Sequence, residues 1–207
     1  MKFVRVSNLV LFHLIFLISF SCAGVDRIPA GFMDDRLQYR GFSVARPKNL
    51  EWYYNFHEQE HKKALFRKDL ETSTHTFFAE VELGFLPNEI HSCENFARMF
   101  KEFYLVYDEK RFQMIEYKQE ITEMQNQCCI AYTVFSVDRD APNSGGKSLI
   151  IRELGFVVIH PTFKKGVVHG WYSERGLESE LDPTLIEEGD SFLKGIQIES
   201  EPGKPVE

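Results

Sequence analysis

Apolar and polar residues alternate along much of the chain, which is the pattern of half-buried β-strands. The alternation is clearest over 76–83, where every second side chain is apolar and Glu80 and Glu82 fall on the opposite, polar face. The segment 149–159 is apolar on both faces, as is typical of a central strand. This reasoning predicts about seven or eight strands, over 41–45, 50–56, 63–68, 76–83, 111–120, 128–137, 149–159 and 167–172.

Two segments change to the period of an α-helix. After Ser92, a residue suited to the helix N-cap, apolar side chains recur at steps of three and four. Asp182-Pro183 is a second helix start, with a capping residue followed by an N1 proline. The apolar stripes are Cys93, Phe96, Phe100, Phe103 and Tyr104 in the first helix and Leu185, Ile186, Phe192, Leu193 and Ile196 in the second. The predicted fold is α+β, an antiparallel sheet of about seven or eight strands with two main helices packed on it.

The first residues have the form of an export signal. Lys2 and Arg5 precede an apolar run over 9–20 that is too short for a comfortable membrane span. The stretch 18–24 resembles a bacterial lipobox, although Ser19 stands where Leu is usual, and Cys22 would carry the lipid. Cleavage after Ala23 is the alternative. We therefore expect a signal peptide over 1–21, a tether over 22–40, one domain over 41–198 and a polar tail over 199–207.

Charge restricts the class of partner. The chain carries a net charge of −7, and removal of residues 1–21 takes away two positive charges and no negative one, which leaves −9. Nucleic-acid binding needs clustered Lys and Arg for phosphate contacts. An acidic exported domain is therefore expected to have no nucleic-acid partner.

The stretch HEQEH, from His57 to His61, has the H-E-x-x-H form in which two histidines bind zinc and a glutamate, here Glu58, activates water. That chemistry requires a helix over about 51–66, so that both rings reach one ion. The aromatic residues before it have strand period, and 57–63 is wholly polar, as a hairpin tip would be. We expect a loop, with no metal and no cofactor. The alternative is an exported hydrolase that uses His57, Glu58 and His61, or the region of His75.

Three cysteines lie in the predicted domain. Cys128 and Cys129 are adjacent, so their side chains point to opposite faces of a strand, and one of them can face the helix that carries Cys93. A disulfide from Cys93 to either would close a loop of about 36 residues, worth roughly 3–4 kcal/mol in the chain-entropy model. Reduced core thiols are the alternative, and no catalytic residue is expected.

Charged residues interrupt the apolar strand over 149–159. Arg152 and Glu153 need partners there, which Glu174 or Arg175 at the end of the neighbouring strand could supply. The functional hypothesis is a polar cluster that faces a ligand, and the structural alternative is a salt-bridge network. The candidate residues are His75, Arg152, Glu153, Tyr172, Glu174 and Arg175.

Several short motifs together resemble a family of uncharacterised bacterial lipoproteins. The resemblance covers roughly 41–197 and is carried by 41–44, Trp52, 65–68, 74–77, 129–132, 138–139 and 172–176. The order of elements also loosely resembles the PsbP-like fold, whose members mostly serve in binding or assembly, although fold alone does not assign function. The resemblance implies a lipoprotein anchored at the periplasmic face of the outer membrane, or a periplasmic protein if unlipidated. We expect it to bind an envelope protein or a ligand without catalysis.

Overall fold

The computed structural model describes residues 27–48, 51–55, 63–69, 74–104, 110–142 and 144–199. In chain order the strands are β1 (Arg27–Pro29), β2 (Arg36–Tyr39), β3 (Phe42–Ala45), β4 (Tyr53–Asn55), β5 (Lys63–Asp69), β6 (Thr76–Phe85), β7 (Phe112–Met124), β8 (Gln127–Asp138), β9 (Leu149–Ile159), β10 (Gly166–Gly176) and β11 (Ile196–Ile198). Two α-helices are present in these ranges, α1 (Cys93–Tyr104) and α2 (Leu185–Lys194), along with short 3-10 turns at Ala30–Phe32 and Glu178–Glu180.

The described strands form two antiparallel sheets. Eight of them lie in the order β1-β4-β5-β6-β10-β9-β8-β7, and the other three in the order β11-β3-β2. This confirms the α+β class and the large antiparallel sheet. The long β7–β8 hairpin turns at Gln125 and Asn126, both with positive φ, as a two-residue turn that follows the strand twist requires.

Side-chain parity along β10 defines the two faces of the large sheet. Val168, Tyr172 and Glu174 point to one face, which we call the α2 face because α2 packs against β9 and β10 there. The intervening side chains, such as Trp171, point to the α1 face.

Each face has an apolar core of its own. On the α2 face the core includes Trp52, Phe66, Phe77, Tyr172 and Phe192, and the smaller sheet adds Phe42 and Val44. On the α1 face, the helix residues Phe96, Ala97 and Phe100 cover Ile130, Val134, Val157 and Trp171. Edge-on and tilted aromatic pairs link the first core, for example Trp52 with Tyr172 at 5.6 Å between ring centroids. Such pairs contribute about 0.5–1.5 kcal/mol each beyond the burial of apolar area.

The polar side of β6 is buried as well as the apolar side. Thr76 and Glu80 lie on the α1 face with 3% and 6% exposure. The alternation therefore predicts correctly which face of the sheet each side chain lies on, but it does not predict whether that face is exposed to solvent. Residues of this kind need partners inside the protein.

The ends of the domain differ from the expected boundaries. The predicted tether over 22–40 contains β1 and β2, so the domain begins by Arg27 and not at residue 41. Ile196 does not extend the helix stripe, because α2 ends at Lys194 and Ile196 pairs with Val44 in β11. Glu199, expected in the tail, accepts a hydrogen bond from the Ser43 hydroxyl at 2.8 Å.

The predicted disulfide is confirmed, and the strand parity selects its partner. Cys93 at the start of α1 is bonded to Cys128 on the α1 face, with 5.8 Å between the two Cα atoms. Cys129 points to the α2 face and is a buried free thiol. The bond ties the helix to the sheet that it covers.

Candidate functional site

The site predicted from sequence centres on Glu174, near the end of β10. Its backbone neighbours across the sheet are Arg152 in β9 and Phe77 in β6. Glu174 Oε2 accepts two hydrogen bonds from Arg152, one from Nε at 3.1 Å and one from Nη2. His75 Nε2 is 2.7 Å from Glu174 Oε1, and the Asp182 amide donates to the same oxygen at 2.7 Å.

This carboxylate is saturated by donors of the chain itself. Glu174 has no exposed surface, and its carboxylate is bonded to one guanidinium, one imidazole and one backbone amide. A buried carboxylate without such partners would cost several kcal/mol. Arg152 also donates to the Asp182 carbonyl oxygen, which fixes the segment leading into α2. The arrangement can hold the segment before α2 against the strand ends. The Glu174 carboxylate itself is buried beneath its donors.

Asp182 links this cluster to the start of α2. Its carboxylate accepts from the Thr184 amide at 2.8 Å and from the Thr184 hydroxyl at 2.7 Å. The bond from the Thr184 amide is the main reason that the pKa of Asp182 lies below its ordinary value. Asp182, which was expected to cap α2, therefore stabilises the turn before the helix, and Thr184 occupies the N-cap position.

Tyr172 lies on the same face two residues before Glu174, and its hydroxyl donates to Glu188 of α2 at 2.8 Å. Burial raises the pKa of this phenol, and the bond to the Glu188 carboxylate raises it further. The hydroxyl is therefore fixed as a hydrogen-bond donor at neutral pH. Tyr172 joins the sheet to α2 independently of the Glu174 cluster.

The other two predicted residues lie on the opposite face. Glu153 accepts a hydrogen bond from the Tyr132 hydroxyl at 2.8 Å, and that hydroxyl is also 2.8 Å from His169 Nε2. Arg175 Nη1 lies 3.7 Å from Asp138 Oδ2. Of the six candidates, the structure brings His75, Arg152 and Glu174 together, and separates Glu153 and Arg175 from them by the sheet. The ligand-facing role proposed for the six stays a prediction.

Two carboxylates of the α1 face were missed by the sequence reasoning. Asp138, with no exposed surface, accepts two hydrogen bonds from Arg111, Nε to Oδ1 at 2.9 Å and Nη2 to Oδ2 at 2.8 Å. Glu80 forms an ion pair with Lys63 across the β5–β6 pair. Burial raises the pKa of Glu80 to about 8, while the Lys63 ammonium acts in the opposite direction. The sequence did contain one usable signal. Arg111 stands just before β7 and Asp138 ends β8, so opposite charges meet at the open end of a hairpin.

The free thiol of Cys129 lies in an environment that does not favour nucleophilic chemistry. Burial raises the pKa of Cys129 to about 12, and its side chain lies among the apolar residues of the α2 face. A nucleophilic cysteine needs the opposite conditions, a lowered pKa and access to solvent.

The H-E-x-x-H residues His57, Glu58 and His61 lie outside the described residues, as does Cys22. The helix that a zinc site would require over about 51–66 is contradicted at both ends, because Tyr53–Asn55 and Lys63–Asp69 are strands. In the described part of the chain, no group of three His, Cys, Asp or Glu side chains could hold a metal ion. Nor does that part contain a helix with the length and apolarity to cross a bilayer.

Comparison with known proteins gives a likeness of fold only. No family model matches the chain, and no curated protein matches its sequence. The fold is similar to cyanobacterial PsbP (CyanoP) from Synechocystis sp. PCC 6803, with a TM-score of 0.45 and 14% identity over 86% of this chain and 98% of that one. It is also similar to the Ran-binding protein Mog1p of Saccharomyces cerevisiae, with a TM-score of 0.41 and 7% identity over 84% of this chain and 96% of that one.

A third similar structure is a protein from Bacteroides thetaiotaomicron VPI-5482, with a TM-score of 0.39 and 10% identity over 79% of this chain and 49% of that one. At these scores and identities the PsbP-like arrangement expected from the sequence is a loose likeness. It assigns neither a ligand nor a partner.

Proposed function

We propose that this chain is an exported domain, held at the bacterial cell envelope by a lipid on Cys22, that binds an envelope partner or a ligand without catalysing a reaction. The export and anchoring parts of the proposal are supported by the signal-like residues 1–21 and the lipobox-like stretch 18–24. The mature chain would lie at the periplasmic face of the outer membrane, or in the periplasm if it is not lipidated.

One observation carries the non-catalytic part of the proposal, and it is the saturation of Glu174. General acid–base chemistry needs a titratable group within hydrogen-bond reach of a substrate. The Glu174 carboxylate instead has no exposed surface and accepts from Arg152, His75 and the Asp182 amide. This geometry supports a structural role for the residues that the sequence marked as the best candidates for a site.

The anchor is tested by feeding expressing cells an alkyne analogue of palmitate and following its attachment to the chain. We expect label on the wild-type protein and on a Cys129→Ala control, both in the membrane fraction. Cys22→Ser should lose the label and move to the soluble fraction. Label that persists in Cys22→Ser, or an unlabelled wild-type chain, would overturn the anchoring proposal.

The non-catalytic reading is tested against the zinc-hydrolase alternative by elemental analysis of the mature chain, purified without a histidine tag or chelator. We expect no stoichiometric zinc. About one zinc per chain, lost in the His57→Ala/His61→Ala variant, would overturn the proposal in favour of a zinc-dependent hydrolase. Cross-linking in intact envelopes then identifies the bound partner.

A further inference from the structure

The two edges of the eight-stranded sheet are built very differently. One edge is β1, which is three residues long and ends in Pro29. The other is β7, which spans 13 residues without a proline and has β8 as its one partner among the described strands. Short strands and prolines protect an edge from pairing with another chain, whereas a long edge without them is a template for such pairing. The edge at β7 is therefore the one suited to accept a further strand.

The regular part of this edge is the segment 116–124. A register shift between Met114 and Glu116 places a bulge at Ile115, and from Glu116 onward each residue has one partner in β8. A bulge turns an edge away from further pairing, so it limits an added strand to the segment that follows it. Side chains along that segment are exposed at positions 116, 118 and 120–123. Among them, Ile121 has 48% of its surface exposed, which gives this edge an apolar contact as well as charges.

Symmetry restricts how two copies of β7 can pair. Along an antiparallel strand, successive residues direct their N–H and C=O groups alternately to one neighbour and to the other. Residues that point outward in one copy must therefore meet residues that point outward in the second copy. A two-fold axis between the copies then passes through a pair of identical residues, and each choice of that central residue brings different side chains face to face.

A centre at Gln119 gives a complementary pairing. Lys118 of each copy then faces Glu120 of the partner subunit, so the same pair of opposite charges forms twice. On the other face of the strand, Tyr117 faces Ile121 of the partner subunit, also twice. Opposite charges and aromatic–β-branched pairs both stabilise facing strands. The segment is therefore complementary to itself in this register.

The other centres are less favourable. A centre at Lys118 would bring Glu116 opposite Glu120 twice, and a centre at Glu120 would bring that residue opposite itself, so that like charges repel. A centre at Tyr117 would reach the bulge after one pair on each side. A centre at Ile121 or later in the strand would bring no opposite charges together. Charge and the bulge together leave Gln119 as the preferred centre.

The contacts already present near this centre leave room for the pairing. Lys118 Nζ lies 2.9 Å from Glu116 Oε1 on its own strand, with side chains 70% and 54% exposed. An ion pair at such exposure contributes little, so Lys118 can turn to another carboxylate at small cost. On the α1 face, the Tyr117 hydroxyl donates to Gln119 Oε1 at 2.7 Å, and Gln119 Nε2 donates to the Ala97 carbonyl oxygen at 3.3 Å. These bonds hold the two side chains against α1.

We propose that this chain forms a two-fold symmetric homodimer in which the β7 strands of two copies pair antiparallel, with Gln119 on the axis. The pairing joins the two large sheets edge to edge. Lys118 bonds Glu120 of the partner subunit on one face of the joined sheet, and Tyr117 packs on Ile121 of the partner subunit on the other. The inference goes beyond the binding role proposed above, because it adds a second copy of the chain as a partner and does not depend on the anchor at Cys22.

Sedimentation velocity of residues 22–207 carrying Cys22→Ser tests the dimer, since neither a lipid nor a disulfide at that position can then link two copies. Salt at about 0.15 M limits the reach of charge attraction to about 8 Å. We expect a monomer–dimer equilibrium with a Kd of about 1–100 µM, as suits a small interface. Lys118→Glu puts like charges opposite each other twice and should weaken dimerisation about tenfold or more. Lys147→Glu makes the same charge change at an exposed position before β9 and should dimerise as the parent chain does.

A charge exchange tests the register. Glu120→Lys alone should also weaken dimerisation, whereas a register centred on Lys118 would strengthen it. An equimolar mixture of the Lys118→Glu and Glu120→Lys chains should recover the association, because an acidic strand then faces a basic one at both pairs. A parent chain that stays monomeric at about 100 µM, equal dimerisation by the parent and Lys118→Glu, or a mixture that associates no more tightly than the single variants would overturn the inference. None of these results bears on lipid attachment, which the palmitate label measures separately.

Discussion

Glu174 and Asp138 are both carboxylates without solvent exposure, on opposite faces of one sheet, and they differ in the donors that surround them. Glu174 has one guanidinium, from Arg152, and completes its set of bonds with His75 and a backbone amide. Asp138 has a bidentate guanidinium from Arg111 and a second, longer contact to Arg175.

The difference shows that one sheet can hold a buried carboxylate with a single guanidinium on one face and a buried carboxylate with two on the other. Around Glu174, each donor satisfies the anion, and loss of any one leaves a buried charge undercompensated. Around Asp138, two guanidiniums approach one carboxylate, so one of them remains when the other is removed. Loss of a cation should therefore harm the first cluster much more than the second.

The largest effect is expected for Arg152→Met. This change removes the one arginine that bonds Glu174 among the described residues, and should lower the free energy of unfolding by about 3 kcal/mol or more. The measurement is urea denaturation followed by the fluorescence of Trp52 and Trp171. Arg139→Met, at an exposed position, should change stability by less than about 0.5 kcal/mol. A loss below about 1 kcal/mol for Arg152→Met would remove the contrast between the clusters.

A dependence of stability on pH should come from Glu80, the second buried carboxylate of the α1 face. The unfolded side chain loses its proton near pH 4.5, while the folded one keeps it to about pH 8. Between these values the folded state binds more protons, so rising pH should destabilise the fold, by up to about tenfold in the unfolding constant per pH unit. Urea denaturation from pH 5 to pH 8 measures the slope. Glu80→Gln should flatten it, and Glu116→Gln, at an exposed position, should not.

A smaller effect is expected for Arg175→Met. Asp138 keeps both hydrogen bonds from Arg111, so we expect a loss of about 1 kcal/mol in the same urea assay. The comparison with Arg152→Met is direct, since both remove one guanidinium beside a buried carboxylate. Equal losses in the two variants would show that the number of cations does not set the cost.

The smallest effect, and one of opposite sign, is expected for Thr76→Val. Because the hydroxyl has no partner among the described residues, its removal should leave stability unchanged or raise it by up to about 1 kcal/mol. Thr133→Val, at an exposed position of β8, is the matched control. Destabilisation by Thr76→Val of more than about 1 kcal/mol would mean that the hydroxyl is already bonded.

The parts of the fold with strong local periodicity could be predicted from sequence. Strands β6 and β9 and the apolar face of α1 follow from alternation and helical spacing within the segments themselves. The short strands β2 and β11 could not be found in this way. β11 is only three residues long, and its pairing with β3 joins segments about 150 residues apart, so no local pattern marks it.

The candidate site was predictable in part, for the same reason. Arg152 and Glu153 stood out as charges in an apolar strand, and the expected pairing of Arg152 with Glu174 is present. Sequence could not assign neighbours to Asp138, because Arg111 reaches it from the turn before β7 and Arg175 from the distant strand β10. Thr76 is buried because other parts of the chain cover its face of the sheet, and the alternation within β6 carries no information about that cover.

The adjacent cysteines in β8 have a consequence for how the chain matures. During oxidation, Cys93 meets two thiols at almost equal distance along the chain, and loop-closure entropy scarcely separates them. A bond to Cys129 instead of Cys128 would need β8 to shift by one residue, which would turn every side chain of that strand to the wrong face. The Cys93–Cys128 bond is therefore compatible only with the native register of β8, and a thiol–disulfide isomerase would have a defined error to correct.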